Sequence, residues 1–123
     1  MPLNNDHLVI FGQSKADNDS YHADEHKRVK GNPLQTTDNY FSDGSNQFHT
    51  GIWQAEPGCW KVSYSEFEYF DILEGVSILR DSNGQEQRLE AGSRCVVPAG
   101  FEGEWEVLEH TKKVYVIFEP SGD

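Results

Sequence analysis

From Phe48 onward the chain is written in short runs that alternate apolar and polar residues, each cut off by turn residues. That pattern constrains the fold more than any other feature. A period of two places successive side chains on opposite faces of a half-buried strand, and no stretch sustains a helical period long enough to compete. "CWKVSYSEF" puts Trp60, Val62 and Tyr64 on one face and Lys61 and Ser63 on the other. "GEWEVLE" sets Trp105 and Val107 against Glu104 and Glu106. Turns are expected at Pro57-Gly58, Glu74-Gly75, Asn83-Gly84 and Pro98-Ala99-Gly100, and Asn-Gly is the dipeptide best suited to a tight hairpin. With "QFHTGIWQAE", "EYFDIL", "VSILR", "QEQRL", "SRCVV" and "KKVYVIFE", about seven strands are predicted at a spacing typical of a small antiparallel barrel or sandwich.

Residues 1–47 read differently. They are polar, rich in Asn, Asp, His and Gly, and are expected to form an irregular arm with short strands around "HLVIFG". Val9, Ile10, Phe11, Leu34, Tyr40 and Phe41 give this arm apolar anchors, so it is expected to strap onto a core. Residues 48–123 are expected to form the barrel itself.

At 123 residues the chain is long enough for one core and too short for two. Ten Lys and Arg stand against 21 Asp and Glu, a net charge of −11, which repels nucleic acid and anionic membranes. Cys59 and Cys95 form no metal-knuckle spacing and no Cys-x-x-Cys, so two free thiols in a reducing cytoplasm is the simpler reading. The start, "MPLNNDHLVIFGQS", lacks a basic region followed by a long apolar stretch, and no run approaches transmembrane length. The sequence therefore reads as a cytoplasmic protein.

Within "SEFEYFDILEG", strand parity puts Glu68 on the same face as Phe70 and Ile72. A carboxylate facing a core is costly unless a metal, a base or hydrogen-bond donors satisfy it. Glu68 is thus the leading candidate for a general acid, general base or ligand anchor; the alternative is a structural carboxylate held by backbone donors or by Lys113 or Tyr64. Tyr64 shares its face and is the second catalytic candidate. Trp60 and Trp105 match the same parity and are candidates for a flat slot around a ring or planar amide. Lys113 is placed to hold a carboxylate, Glu66 to sit at a cavity mouth, and His49 to bring the nearest imidazole. In "HADEH", His22 and His26 have helical i, i+4 spacing, but the acid is misplaced for HExxH and Gly31 and Pro33 soon end any helix.

Glu68, six residues, then Gly75 resembles the close of the first cupin motif; Gly92, five residues, then Pro98-Ala99-Gly100 resembles the opening of the second. From about Phe48 to Glu119 the chain therefore resembles a single-domain cupin. "GIW", "PGCWKVSY", "ILEG" and "PAGFEGEWEV" look most like the small branch related to (S)-ureidoglycine aminohydrolase. The resemblance implies an all-β fold, a jelly-roll barrel with a conical cavity, and commonly a homodimer, for which Tyr69 and Leu73 offer apolar outer positions. The family's usual ligand histidines fall at Val62 and Tyr64, or at Lys61 and Ser63 if the gap to Glu68 is one residue longer, and at Gly103, so only Glu68 of four metal ligands is kept. No metal or other cofactor is expected, since a transition metal takes three or four N, O or S donors.

Two functions follow from these residues. In the first, the cavity binds a small polar metabolite through Glu68 and Tyr64. In the second, the same groups carry out acid–base chemistry, metal-independent or with an atypical metal, on a ureido, amide or sugar-like compound, by analogy with the family it resembles.

Overall fold

The computed structural model describes residues 8–121, so His7 of "HLVIFG" lies outside the described residues. Among the described residues nine strands form one antiparallel sheet that curls on itself: β1 Asp17–Tyr21, β2 Arg28–Lys30, β3 Gln35–Ser42, β4 Phe48–Ala55, β5 Gly58–Ser63, β6 Phe67–Asp81, β7 Glu86–Glu90, β8 Arg94–Val97 and β9 Glu102–Phe118. A 3-10 turn, Glu25–Lys27, interrupts them. The chain is all-β, as its alternation predicts. Among the described residues no helix is long and apolar enough to cross a membrane.

Two long strands organise the sheet. The C-terminal half of β9 pairs with β4, from Thr111 opposite Ala55 to Phe118 opposite Phe48, and its N-terminal half pairs with β5. β6 runs along β9 for almost its whole length, so both strands pass from one layer of the curl to the other. The sequence predicts a break at Glu74-Gly75, and likewise two strands where β9 is continuous. The structure corrects both. Gly75 holds φ +93 within β6, and a side chain there would run into the backbone of His110 and Thr111. The ladder register shifts around it, so this glycine makes a bulge that bends the strand instead of ending it.

The core lies between the layers. Trp105, Phe70, Ile72 and Val97 are almost wholly enclosed. Trp105 meets Trp53 and Phe70 edge-on, with ring centroids 5.4 Å apart in each pair. Such aromatic pairs add about 0.5–1.5 kcal/mol each beyond their buried area.

The first 47 residues also require a correction. The segment 8–10 of "HLVIFG" has no strand and leads into a turn. Regular structure comes later: β1 pairs with β3, β3 with β4, and β2 with β5. The arm thereby extends the sheet at both ends of the strand order.

Candidate functional site

The strand register builds the site row by row. Across β3, β4, β9 and β6, Asn39, Gly51, Tyr115 and Phe70 form one row. Thr37, Trp53, Lys113 and Ile72 form the next inward row. On the other side of the first lies the row of His49, Ile117 and Glu68. β1 adds Asp17, Asp19 and Tyr21 at the outer end of the rows. All of these but Gly51, Phe70 and Ile72 line, with Trp60, Val62 and Tyr64 from the β5 end, an open cavity of about 710 Å3.

Lys113 and Glu68 meet at its floor. Lys113 Nζ lies 2.9 Å from Glu68 Oε2, and both side chains are buried, at 7% and 5% exposure. The ammonium also faces three rings, with Nζ 4.6 Å from the centroid of Trp53, 4.7 Å from Phe70 and 4.4 Å from Trp105. Each ring presents its negative quadrupole face to the cation, worth about 2 kcal/mol when desolvated. This answers the question raised by a carboxylate of core-facing parity: Glu68 is neutralised by a tethered cation. Burying such a pair is no efficient route to stability, because desolvation offsets most of the attraction.

Tyr64 is positioned by the second motif remnant. Its backbone N–H donates to the Phe101 carbonyl at 2.9 Å, and its own carbonyl accepts from Gly100 at 2.6 Å. Its ring meets Phe101 edge-on at 6.0 Å. Burial pushes the phenol well above its ordinary value of 10, and the nearby Glu68 carboxylate raises it further. At neutral pH Tyr64 is therefore a hydrogen-bond donor beside Glu68.

The polar wall comes from the N-terminal strands. Tyr115 Oη donates to Asn39 Oδ1 at 2.7 Å, Trp53 Nε1 donates to Gln35 Oε1 at 3.1 Å, and Tyr21 Oη shares a 2.7 Å hydrogen bond with Thr37 Oγ1. Gly51 makes room for this arrangement, since a Cβ there would come within 2.7 Å of Tyr115 Oη and 2.9 Å of Asn39 Cα. Tyr115 and Tyr21 are both shifted above the ordinary phenol range, chiefly by burial.

The structure brings together Glu68, Tyr64, Lys113, Trp60, Glu66 and His49 around this one cavity. His49 stands at its edge, with Nδ1 2.6 Å from Ser42 Oγ and Nε2 3.1 Å from the Asn46 carbonyl. Trp105 is the exception: it lies beneath Lys113 with Nε1 donating to Ser77 Oγ at 3.1 Å, and Trp53 takes the expected place in the wall. Trp53, Tyr115, Tyr21, Gln35, Thr37 and Asn39 escaped the sequence reading. Parity from Lys113 through Tyr115 to Ile117 was the available signal for one of them. His22 and His26 share no helix, since only residues 25–27 turn, in a 3-10 conformation.

The donors do not fit the metal of the usual cupin site. Glu68 is committed to Lys113, while Val62 and Gly103 offer no ligand atom on their side chains. Among the described residues no group of three His, Cys, Asp or Glu side chains converges on a point. Cys59 and Cys95 are both free, and burial pushes the Cys59 thiol up to about 11.

Among solved structures, a Pseudomonas syringae protein of the DUF861 family superposes with a TM-score of 0.75 at 19% identity. The match covers 85% of this chain but 45% of that one, so the chain spans less than half the length of that relative. The Clostridium difficile EutQ protein gives a TM-score of 0.65 at 17% identity, covering 80% of this chain and 74% of that one. A DUF861 family protein from Thermotoga maritima gives 0.53 at 31% identity over 55% of this chain and 76% of that one. No curated protein matches the chain. The family model of the EutQ-like cupin domain matches residues 43–115, which hold β4 to β8 and most of β9, and the chain belongs to that cupin family.

Proposed function

We propose that the cavity binds a small polar metabolite through a planar amide or ureido edge, with Glu68 and Lys113 as the recognition pair. The observation that carries this reading is the 2.9 Å contact between them at the floor of an aromatic-walled cavity. An amide edge presents an N–H donor and a carbonyl acceptor side by side. Glu68 accepts from the first and Lys113 donates to the second, while Trp53, Trp60 and Tyr64 supply flat apolar surface. The ureido class also rests on the resemblance of "ILEG" and "PAGFEGEWEV" to the ureidoglycine aminohydrolase branch. The cytoplasm is the proposed compartment, on the two cysteines that lack any disulfide framework.

A second reading, metal-independent catalysis on the same class of compound, is favoured by one observation. Tyr64 and Glu68 line the same cavity, so a phenol that can donate and a carboxylate that can accept stand together.

A thermal-shift screen of a metabolite library against wild type and Glu68→Gln tests both. Ligand at a hundred times its dissociation constant adds about 2.7 kcal/mol to stability, which is readily seen. The binding reading expects an amide or ureido hit whose shift is lost in Glu68→Gln. A hit consumed only by protein carrying Glu68 and Tyr64 favours the enzyme. A hit unaffected by Glu68→Gln removes the carboxylate from the site.

A further inference from the structure

We propose that Lys113 also captures small aldehydes or ketones as an imine, with Glu68 taking up and returning the proton. This inference rests on the reading of the same cavity as a small-molecule site, and it adds a covalent step that amide recognition does not require.

Three features carry it. Lys113 is a buried amine on a cavity floor, its Nζ set among the faces of Trp53, Phe70 and Trp105. A carboxylate within 2.9 Å of Nζ is in place to accept its proton. Tyr64 offers a phenol on the same cavity to hydrogen-bond a carbonyl oxygen as that oxygen gains charge. Nucleophilic lysines of this kind work from desolvated pockets with an acid–base partner.

The step balances without an oxidant or a metal. Glu68 takes one proton from the ammonium, and the freed nitrogen lone pair forms the N–C bond while the carbonyl π pair moves to oxygen. A proton passes from nitrogen to that oxygen, giving a carbinolamine. Glu68 returns its proton to the hydroxyl, the C–O bond breaks, water leaves, and the nitrogen lone pair closes the C=N bond. The products are an iminium, water and the Glu68 carboxylate. The iminium carries the same single positive charge that the ammonium carried, in the same ring-lined position beside Glu68.

The test is reductive trapping of the full chain with limiting propanal and sodium cyanoborohydride, followed by peptide mass mapping over time. Exposure alone ranks Lys113 behind Lys15, Lys27, Lys30 and Lys61, which are exposed, and behind the half-buried Lys112. The proposal expects the reverse, with Lys113 propylated at least about tenfold faster than Lys61 or Lys112. Glu68→Gln is expected to slow that labelling about a hundredfold, the usual scale of a lost acid–base group. Tyr64→Phe, which leaves the ion pair in place, guards against a misfolded Glu68 variant and is expected to slow it as well. Labelling of Lys113 no faster than the exposed lysines overturns the proposal, and so does fast labelling that neither variant slows. A thermal-shift hit without selective trapping overturns the imine and leaves the binding reading standing.

Discussion

Lys113 and Glu68 pair across β9 and β6, each almost sealed from solvent, with the ammonium set among three aromatic faces. Neither charge is well hydrated, at 7% and 5% side-chain exposure. Removing one partner leaves the other buried and uncompensated, whereas replacing both with apolar residues removes the problem altogether. Lys113→Ala is therefore expected to cost about 3–5 kcal/mol in urea denaturation. Glu68→Leu combined with Lys113→Met is expected to recover most of that loss while abolishing ligand binding. A double variant as unstable as the single one would show that the pair supports the fold by more than mutual neutralisation.

Alkaline stability follows from the buried phenols. Tyr64 and Tyr115 are both raised from 10, in each case chiefly by burial. Above about pH 10 the unfolded chain sheds phenolic protons that the folded chain retains, so the folded state binds more protons and stability falls as pH rises. The expected slope is about 1.4 kcal/mol per pH unit for each such tyrosine. It begins at the unfolded value and ends where the folded phenol itself ionises. Urea unfolding at successive pH values from 9 to about 11 measures it, and Tyr64→Phe is expected to flatten it. An unchanged slope in that variant would mean that Tyr64 is solvated in the folded protein.

The barrel strands were legible because their inward faces are apolar. Trp60 and Val62 on β5, and Phe70 and Ile72 on β6, declare their face by period two, and the same parity exposes Glu68 as the residue needing an explanation. β1 and β3 were not legible for the opposite reason. Their cavity-facing residues are Asp17, Asp19, Gln35, Thr37 and Asn39, which line an open polar cavity instead of a dry core. With polar residues on both faces, no hydrophobic alternation remains to be read. Gly75 misled for a local reason: a positive-φ glycine serves a turn and a bulge equally well, and only the partner strand decides between them. The identity of Glu68's partner depended on the β6–β9 register, which brings together residues 45 positions apart in sequence.

Gly51 should tolerate no side chain. Its missing Cβ is the space beside Tyr115 Oη and Asn39 Cα, and the Tyr115–Asn39 hydrogen bond spans that gap at 2.7 Å. Gly51→Ala is expected to destabilise by about 1–3 kcal/mol, the usual cost of overpacking. It should also weaken ligand binding, because it displaces the wall that β3 contributes. Thermal denaturation with and without a ligand from the screen measures both effects. Full retention of stability would show that β3 can move away from β4 at little cost.

The outer face of the sheet predicts self-association. Phe48, Phe118 and Phe67 stand in one row across β4, β9 and β6, and Tyr69 and Val96 stand opposite each other on β6 and β8. All five are exposed, as are Phe41, whose ring meets Phe48 at 6.2 Å, and Leu73 farther along β6. Asp71 and Arg94 lie between this patch and Leu73 as an ion pair at 4.0 Å, so the stripe adds no net charge on a chain whose net charge is −11, where elsewhere two copies mostly repel. Contiguous exposed apolar residues mark interaction sites, and a second copy can meet the stripe with the same residues about a two-fold axis. We expect a homodimer burying about 800 Å2 per partner, the standard size of a stable interface. Size-exclusion chromatography with light scattering at micromolar concentration is expected to give a dimer for wild type. Phe118→Glu should give a monomer of unchanged circular dichroism, because its side chain is exposed and its loss leaves the core intact. A monomeric wild type would remove the dimer, and a dimeric Phe118→Glu would move the interface to another face.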